Sequence, residues 1–151
     1  MATPRSSNYC SIRAQRSTPR RTTLTALHLA AWNGHSEVVG VLLERGISID
    51  AMDNDNWTAL HYAASNGHVE VAKLLLDRGA AIDASAIDIL PALHVAAREG
   101  HLEVVAVLLD KGASIEATTN ANWTALHEAA FGDHIELVKV LLDRGARIDA
   151  A

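Results

Sequence analysis

The chain has 151 residues, enough for one folded domain, and is 49% hydrophobic but only 4% aromatic, so a core must be built from Ala, Val, Leu and Ile. No apolar run nears the roughly 18 residues that cross a bilayer, and a single cysteine, Cys10, excludes an internal disulfide or a thiolate metal cluster. The net charge of −5 is unevenly spread: residues 1–21 hold Arg5, Arg13, Arg16, Arg20 and Arg21 and no acid, whereas all 18 acidic residues lie beyond them.

That first segment, residues 1–21, is rich in Ser, Thr, Arg and Pro and lacks apolar periodicity, so it reads as a disordered basic tail. Its acid-free composition also has the look of an organelle transit peptide, but its scattered apolar residues make a poor amphipathic helix. The expected location is therefore the cytoplasm, with organelle import through the tail as the alternative. Five arginines without interleaved aromatics are a weak footprint for phosphate, and the acidic remainder repels it, so nucleic acid is a disfavoured partner.

From residue 22 onward the chain repeats itself. Leu27-His28, Leu60-His61, Leu93-His94 and Leu126-His127 are spaced by 33 residues. His35, His68, His101 and His134 follow at one offset, and Gly46, Gly79, Gly112 and Gly145 at another. The pairs Leu42-Leu43, Leu75-Leu76, Leu108-Leu109 and Leu141-Leu142 keep the same step. Residues 22–151 thus form one domain of four repeats, about 22–52, 53–85, 86–118 and 119–151. Each repeat reads as helix, turn, helix, loop. In the second, Thr58 is an N-cap whose hydroxyl satisfies a first-turn amide, and Ala59 to Asn66 form the first helix. Gly67 ends it in the left-handed region. Val69 to Arg78 form the second helix, with Val69, Leu74, Leu75 and Leu76 facing inward, and Gly79 ends that one too.

The stretches Thr25-Ala26-Leu27-His28, Thr58-Ala59-Leu60-His61, Pro91-Ala92-Leu93-His94 and Thr124-Ala125-Leu126-His127 each continue into an Ala-Ala pair one residue later. In length and signature this closely resembles the ankyrin repeat, over residues 22 to 151. The resemblance implies an all-α solenoid of stacked helix-turn-helix units with projecting loops, and protein recognition along its concave side. Several positions depart from the family pattern. Ala26, Ala59, Ala92 and Ala125 replace a proline at the first helical position. Pro91 removes the capping hydroxyl of the third repeat, a loss of about 1 kcal/mol. Ile89 occupies a turn position that Asn56 and Asn122 fill elsewhere, where a β-branched residue is disfavoured. Asp133 replaces the glycine before the second histidine, and the fourth repeat carries no polar capping face.

Most of the chemistry-bearing residues have framework explanations. Stacked repeats lie about 10 Å apart, too far for a column of histidines to share a zinc ion whose ligands sit at about 2 Å. His127-Glu128-Ala129-Ala130 opens like a zinc-protease motif, but Phe131 stands where the second histidine belongs. Glu37, Glu70, Glu103 and Glu136 start the second helices and Arg45, Arg78, Lys111 and Arg144 close them, in keeping with the helix dipole. Asp50, Asp83, Glu116 and Asp149 read as turn residues. Asn56-Trp57-Thr58 and Asn122-Trp123-Thr124 match the glycosylation pattern, yet the turn accounts for both. No phosphate loop, nucleophile–base pair or carboxylate dyad survives, so no catalytic residue, no metal, no cofactor and no small-molecule substrate is expected.

The remaining signal lies in two variable columns. Leu24, Trp57, Leu90 and Trp123 precede the helix caps at the base of each finger. Trp32-Asn33, Ser65-Asn66, Arg98-Glu99 and Phe131 end the first helices. All three tryptophans and the only phenylalanine fall in these columns. With Asn54, Asp55, Asp88 and Asn120 on the fingers they make a candidate partner-binding surface, since aromatic anchors amid polar neighbours are the usual form of a hot spot. The expected function is protein–protein interaction, as a scaffold-type module that is not an enzyme and has no membrane partner. The alternative is a docking or targeting fragment of a larger protein or enzyme.

Overall fold

The computed structural model describes residues 24–84 and 90–149. The basic tail at 1–21, Asp88 and Ile89 lie outside these residues. Within them the chain forms eight helices in four pairs and no strands. The pairs are α1 (Ala26–Asn33) and α2 (Ser36–Glu44), α3 (Ala59–Asn66) and α4 (Val69–Asp77), α5 (Ala92–Glu99) and α6 (Leu102–Asp110), and α7 (Ala125–Phe131) and α8 (Ile135–Asp143). The four-repeat, all-α architecture is the one the 33-residue period implies. No helix among the described residues is long and apolar enough to cross a membrane.

Three of the four first helices, α1, α3 and α7, start on a reciprocal cap. In α3, Thr58 Oγ1 takes the His61 amide, and the Thr58 N–H donates to His61 Nδ1 at 3.1 Å. Thr25 with His28 and Thr124 with His127 repeat the arrangement. A histidine here does the work usually given to a glutamate or glutamine three residues into a helix. Because a backbone N–H can only donate, Nδ1 is the acceptor and the ring proton sits on Nε2. From there His28 donates to the Ala51 carbonyl at 2.8 Å and His61 to the Leu90 carbonyl at 2.9 Å, pinning the next finger. Burial holds His61 below its ordinary pKa of 6.5, partly offset by the bond to Leu90 and the charge of Asp53.

Alanine pairs let the first helices approach closely. Ala30 and Ala31, Ala63 and Ala64, and Ala96 and Ala97 are all buried. Leu27, Leu60 and Leu93 fill the space beneath them, and Val39, Val71, Leu75, Leu108, Leu137 and Leu141 line the second layer. Tyr62, only 2% exposed, is an aromatic member of a core otherwise built of aliphatics. Two details differ from the sequence expectation. The second helix of repeat two ends at Asp77, with Arg78 as its cap, and Val71, Ala72 and Leu75 are its buried residues while Val69, Leu74 and Leu76 are half-buried. Helical spacing from Val71 to Leu75 keeps one face inward, and the neighbouring leucines flank it. Arg78, Lys111 and Arg144 likewise sit past the last turn, where they reach back to Glu44, Asp77 and Asp110 of the preceding repeat. These pairs are exposed and contribute little.

The second histidines form the joints between repeats. His68 Nε2 binds the Trp32 carbonyl at 2.8 Å, His101 the Ser65 carbonyl at 2.9 Å and His134 the Arg98 carbonyl at 2.8 Å. Each ring lies over Gly34, Gly67 or Gly100, at φ 75°, 73° and 79°. A Cβ on any of the three would come within 2.6 Å of the ring. Those glycines therefore serve two ends, the left-handed helix stop and the close approach. The fingers are stitched in the same manner: Asp50 accepts the Ala81 N–H at 3.0 Å and Glu116 the Arg147 N–H at 2.8 Å. Two of the acids that read as local turn residues, Asp50 and Glu116, thus act between repeats.

Both end faces of the described helix stack are apolar. Val38 is 48% exposed, while its equivalents Val71, Val104 and Leu137 are buried by a preceding repeat. At the other end Ile148 is 80% exposed, against half-buried Ile49, Ile82 and Ile115.

Candidate binding surface

In the second and fourth repeats the finger tip is a tight turn whose shape follows from two residues. Asn56 and Asn122 take φ 63° and 61°, a conformation asparagine tolerates better than other side chains. Asp53 Oδ1 accepts the N–H groups of Asp55 and Trp57 at 2.8 and 3.0 Å. Thr119 Oγ1 does the same in the fourth repeat for Ala121 and Trp123, both at 3.2 Å. Trp57 and Trp123 are thereby delivered to the base of their fingers in matching geometry.

Around Trp57 the structure builds an aromatic cluster. Asp53, only 6% exposed, accepts the Tyr62 hydroxyl on Oδ2, and Tyr62 is held between two tryptophans. Trp32 stacks on Tyr62 with ring centres 5.1 Å apart and planes 16° from parallel. Trp57 meets Tyr62 at 5.2 Å and His61 at 5.7 Å, tilted in both cases. Trp32, Trp57, Leu24 and Leu90 are all half-buried against the core. The second aromatic patch is looser. Trp123 packs on Phe131 at 5.6 Å and on His127 at 6.1 Å, and Phe131 is 73% exposed.

Between the patches, Arg98 makes a two-pronged bond to Glu128, Nε to Oε2 at 2.8 Å and Nη2 to Oε1 at 3.1 Å. Glu128 is 1% exposed. It occupies the helix position of Leu29, Tyr62 and Val95, the one that faces the preceding repeat. Trp32 on Tyr62 and Arg98 on Glu128 are therefore the same contact, 30 residues apart in sequence, made once by stacking and once by charge. Beside it, burial lowers the pKa of His94, offset in part by its bonds to the Trp123 and Ala117 carbonyls and by Glu128.

The polar candidates divide. Asn33 Nδ2 donates to the Leu29 carbonyl within its own helix, and Asn66 Nδ2 to the Trp32 carbonyl across the joint. Ser65 contributes its carbonyl to His101. Asn54 and Asp55 are half-buried at the first finger tip, and Asn120 and Glu99 are exposed. Asp53, Tyr62 and Glu128 lie buried beneath this surface and support it, and they escape a reading based on variable columns alone. The sign in the sequence was the column Leu29, Tyr62, Val95, Glu128, which changes character with every repeat. A separate shallow cleft, lined by Gly100, Leu102, Asp133, His134 and Ile135, opens at the last joint. Among the described residues no three His, Cys, Asp or Glu side chains gather in a way that could hold a metal ion.

Helix pairs stacked on a fixed joint, with variable side chains presented at regular intervals, define a repeat solenoid. The family model described as ankyrin repeats, in three copies, matches residues 8–88 and again 86–151, and the chain belongs to the ankyrin repeat family. The first match begins at residue 8, inside the basic segment. A comparison with curated proteins gives no match. Ankyrin repeats are in general protein–protein interaction modules and typically do no catalysis of their own.

Proposed function

We propose that this chain binds a partner protein along the face formed by its first helices and finger bases, with the Trp123–Phe131 patch as principal anchor and Trp32 and Trp57 as a second, more rigid one. The observation that carries the reading is Phe131. It is 73% exposed because the contact that Trp32 and Arg98 make from this position with the following repeat has no counterpart for Phe131 among the described residues, which leaves its apolar area open. Trp57 and Trp123 are two repeats apart, roughly 20 Å along the stack, a spacing suited to an extended or helical segment with separated hydrophobic side chains. Finger residues Asn54, Asp55 and Asn120 would supply the polar rim, and the acidic repeats favour a partner with some positive charge.

The test is selection of peptides from a display library against the intact chain, followed by affinity measurements on variants. Phe131→Ala should weaken the selected peptides at least about tenfold while leaving the thermal midpoint within about 1 °C. Peptides that bind Phe131→Ala and Trp123→Ala as tightly as the parent chain would reject this surface.

A further inference from the structure

The joint between repeats needs a residue without a Cβ. At Gly34, Gly67 and Gly100 an added Cβ would lie 2.6, 2.6 and 2.5 Å from the histidine ring of the following repeat. Real carbons do not approach so closely, and the ring cannot move aside without losing its bond to the carbonyl two residues before the glycine. The fourth repeat carries Asp133 at this position, and at φ 59° its backbone adopts the same left-handed conformation as the three glycines. Its Cβ and carboxylate therefore project into the space where the histidine of a following repeat would sit.

We infer that Asp133 closes the stack: a repeat bearing the joint histidine cannot seat on the fourth repeat, whether it is joined in the same chain or presented by a second copy. The device matters because both end faces are apolar. Val38 and Val41 are exposed on the first repeat, and Phe131, Ile135 and Ile148 on the fourth. Two such faces in one molecule are the ingredients of a head-to-tail contact, which does not close on itself and grows into filaments. That contact would bring His35 of one copy onto the fourth repeat of another, and Asp133 stands in its way. The exposed apolar surface of repeat four is thus open to other chemistry while refusing the chain's own kind.

The register allows a direct test. Ala151 occupies the position of Met52, so a copy of residues 53–85 can be appended in phase, placing the equivalent of His68 opposite residue 133. The appended and parent chains are compared by thermal unfolding and limited proteolysis, each with Asp133 and with Asp133→Gly. Comparison within each background removes the intrinsic effect of glycine at a positive φ. In the Asp133→Gly background the added repeat should raise the midpoint by about 5 °C or more and resist cleavage. With Asp133 retained it should add no stability and be trimmed away. Equal stabilisation in both backgrounds would overturn the inference, and so would failure in both, because some other feature would then bar the joint.

Discussion

His94 Nδ1 is the one buried side-chain polar atom among the described residues that has no hydrogen-bond partner, and Pro91, three positions upstream, is the reason. In the other repeats a threonine at that position offers both its N–H and its hydroxyl to the histidine. Proline has neither. Its φ of −56° and ψ of 155° are extended like those of the threonine caps, with φ about 40° less negative than at Thr58, a range open to threonine. Pro91→Thr should satisfy Nδ1 and the first turn together, against a small entropic loss from giving up the proline ring. The expected gain is about 1 kcal/mol, or roughly 3 °C in the thermal midpoint. A drop on calorimetry would show that proline rigidity outweighs the missing bonds.

The buried histidines also set a pH dependence. Burial lowers the pKa of both His61 and His94 from 6.5, so between the folded and unfolded values the unfolded chain binds more protons. Stability then rises with pH through that window. Their contribution is complete above about pH 6.5 and is lost progressively as pH falls below it. Thermal midpoints recorded from about pH 8 to about pH 5 should decline on the acid side, and a flat profile would contradict the assigned neutral rings.

Much of this molecule was legible in its sequence because the repeat multiplies every signal. The helix pairs, the threonine caps, the defect at Pro91 and the left-handed Asn56 and Asn122 all follow from aligned columns. What remained hidden depends on contacts between repeats. Asp53 reads as one more finger acid, and nothing local shows that its carboxylate anchors a turn and a tyrosine at once. Glu128 reads as a polar residue on a helix surface, because its burial is supplied by Arg98 from the repeat before. Asp133 looks like a modest loss of helix-stop quality until the histidine over each glycine is seen.

The Arg98–Glu128 pair should show strong coupling. Arg98→Ser alone leaves a buried carboxylate without its cation and should cost about 2 kcal/mol, below the full penalty of a buried pair because the guanidinium is half-exposed. Adding Glu128→Val recreates the Ser65 and Val95 arrangement that the second joint already uses. The double variant should recover most of the loss in denaturant unfolding. Additive losses would mean that the two side chains act independently.

Tyr62→Phe tests how far the first aromatic cluster depends on its buried carboxylate. The hydroxyl donates to Asp53 Oδ2, and the other oxygen of that carboxylate holds the finger turn through the Asp55 and Trp57 amides. Phenylalanine keeps the ring between Trp32 and Trp57, so stacking is preserved, but the carboxylate loses this hydrogen bond in a site from which water is largely excluded. The cost should be about 2 kcal/mol, the usual worth of a hydrogen bond to a charged group. Trp57→Ala removes two ring contacts as well and should destabilise the fold by a similar amount or more. Phe131→Ala, by contrast, should leave stability almost untouched. If Trp57→Ala proves as harmless as Phe131→Ala, the first cluster is not a structural unit and Trp57 serves the binding face alone.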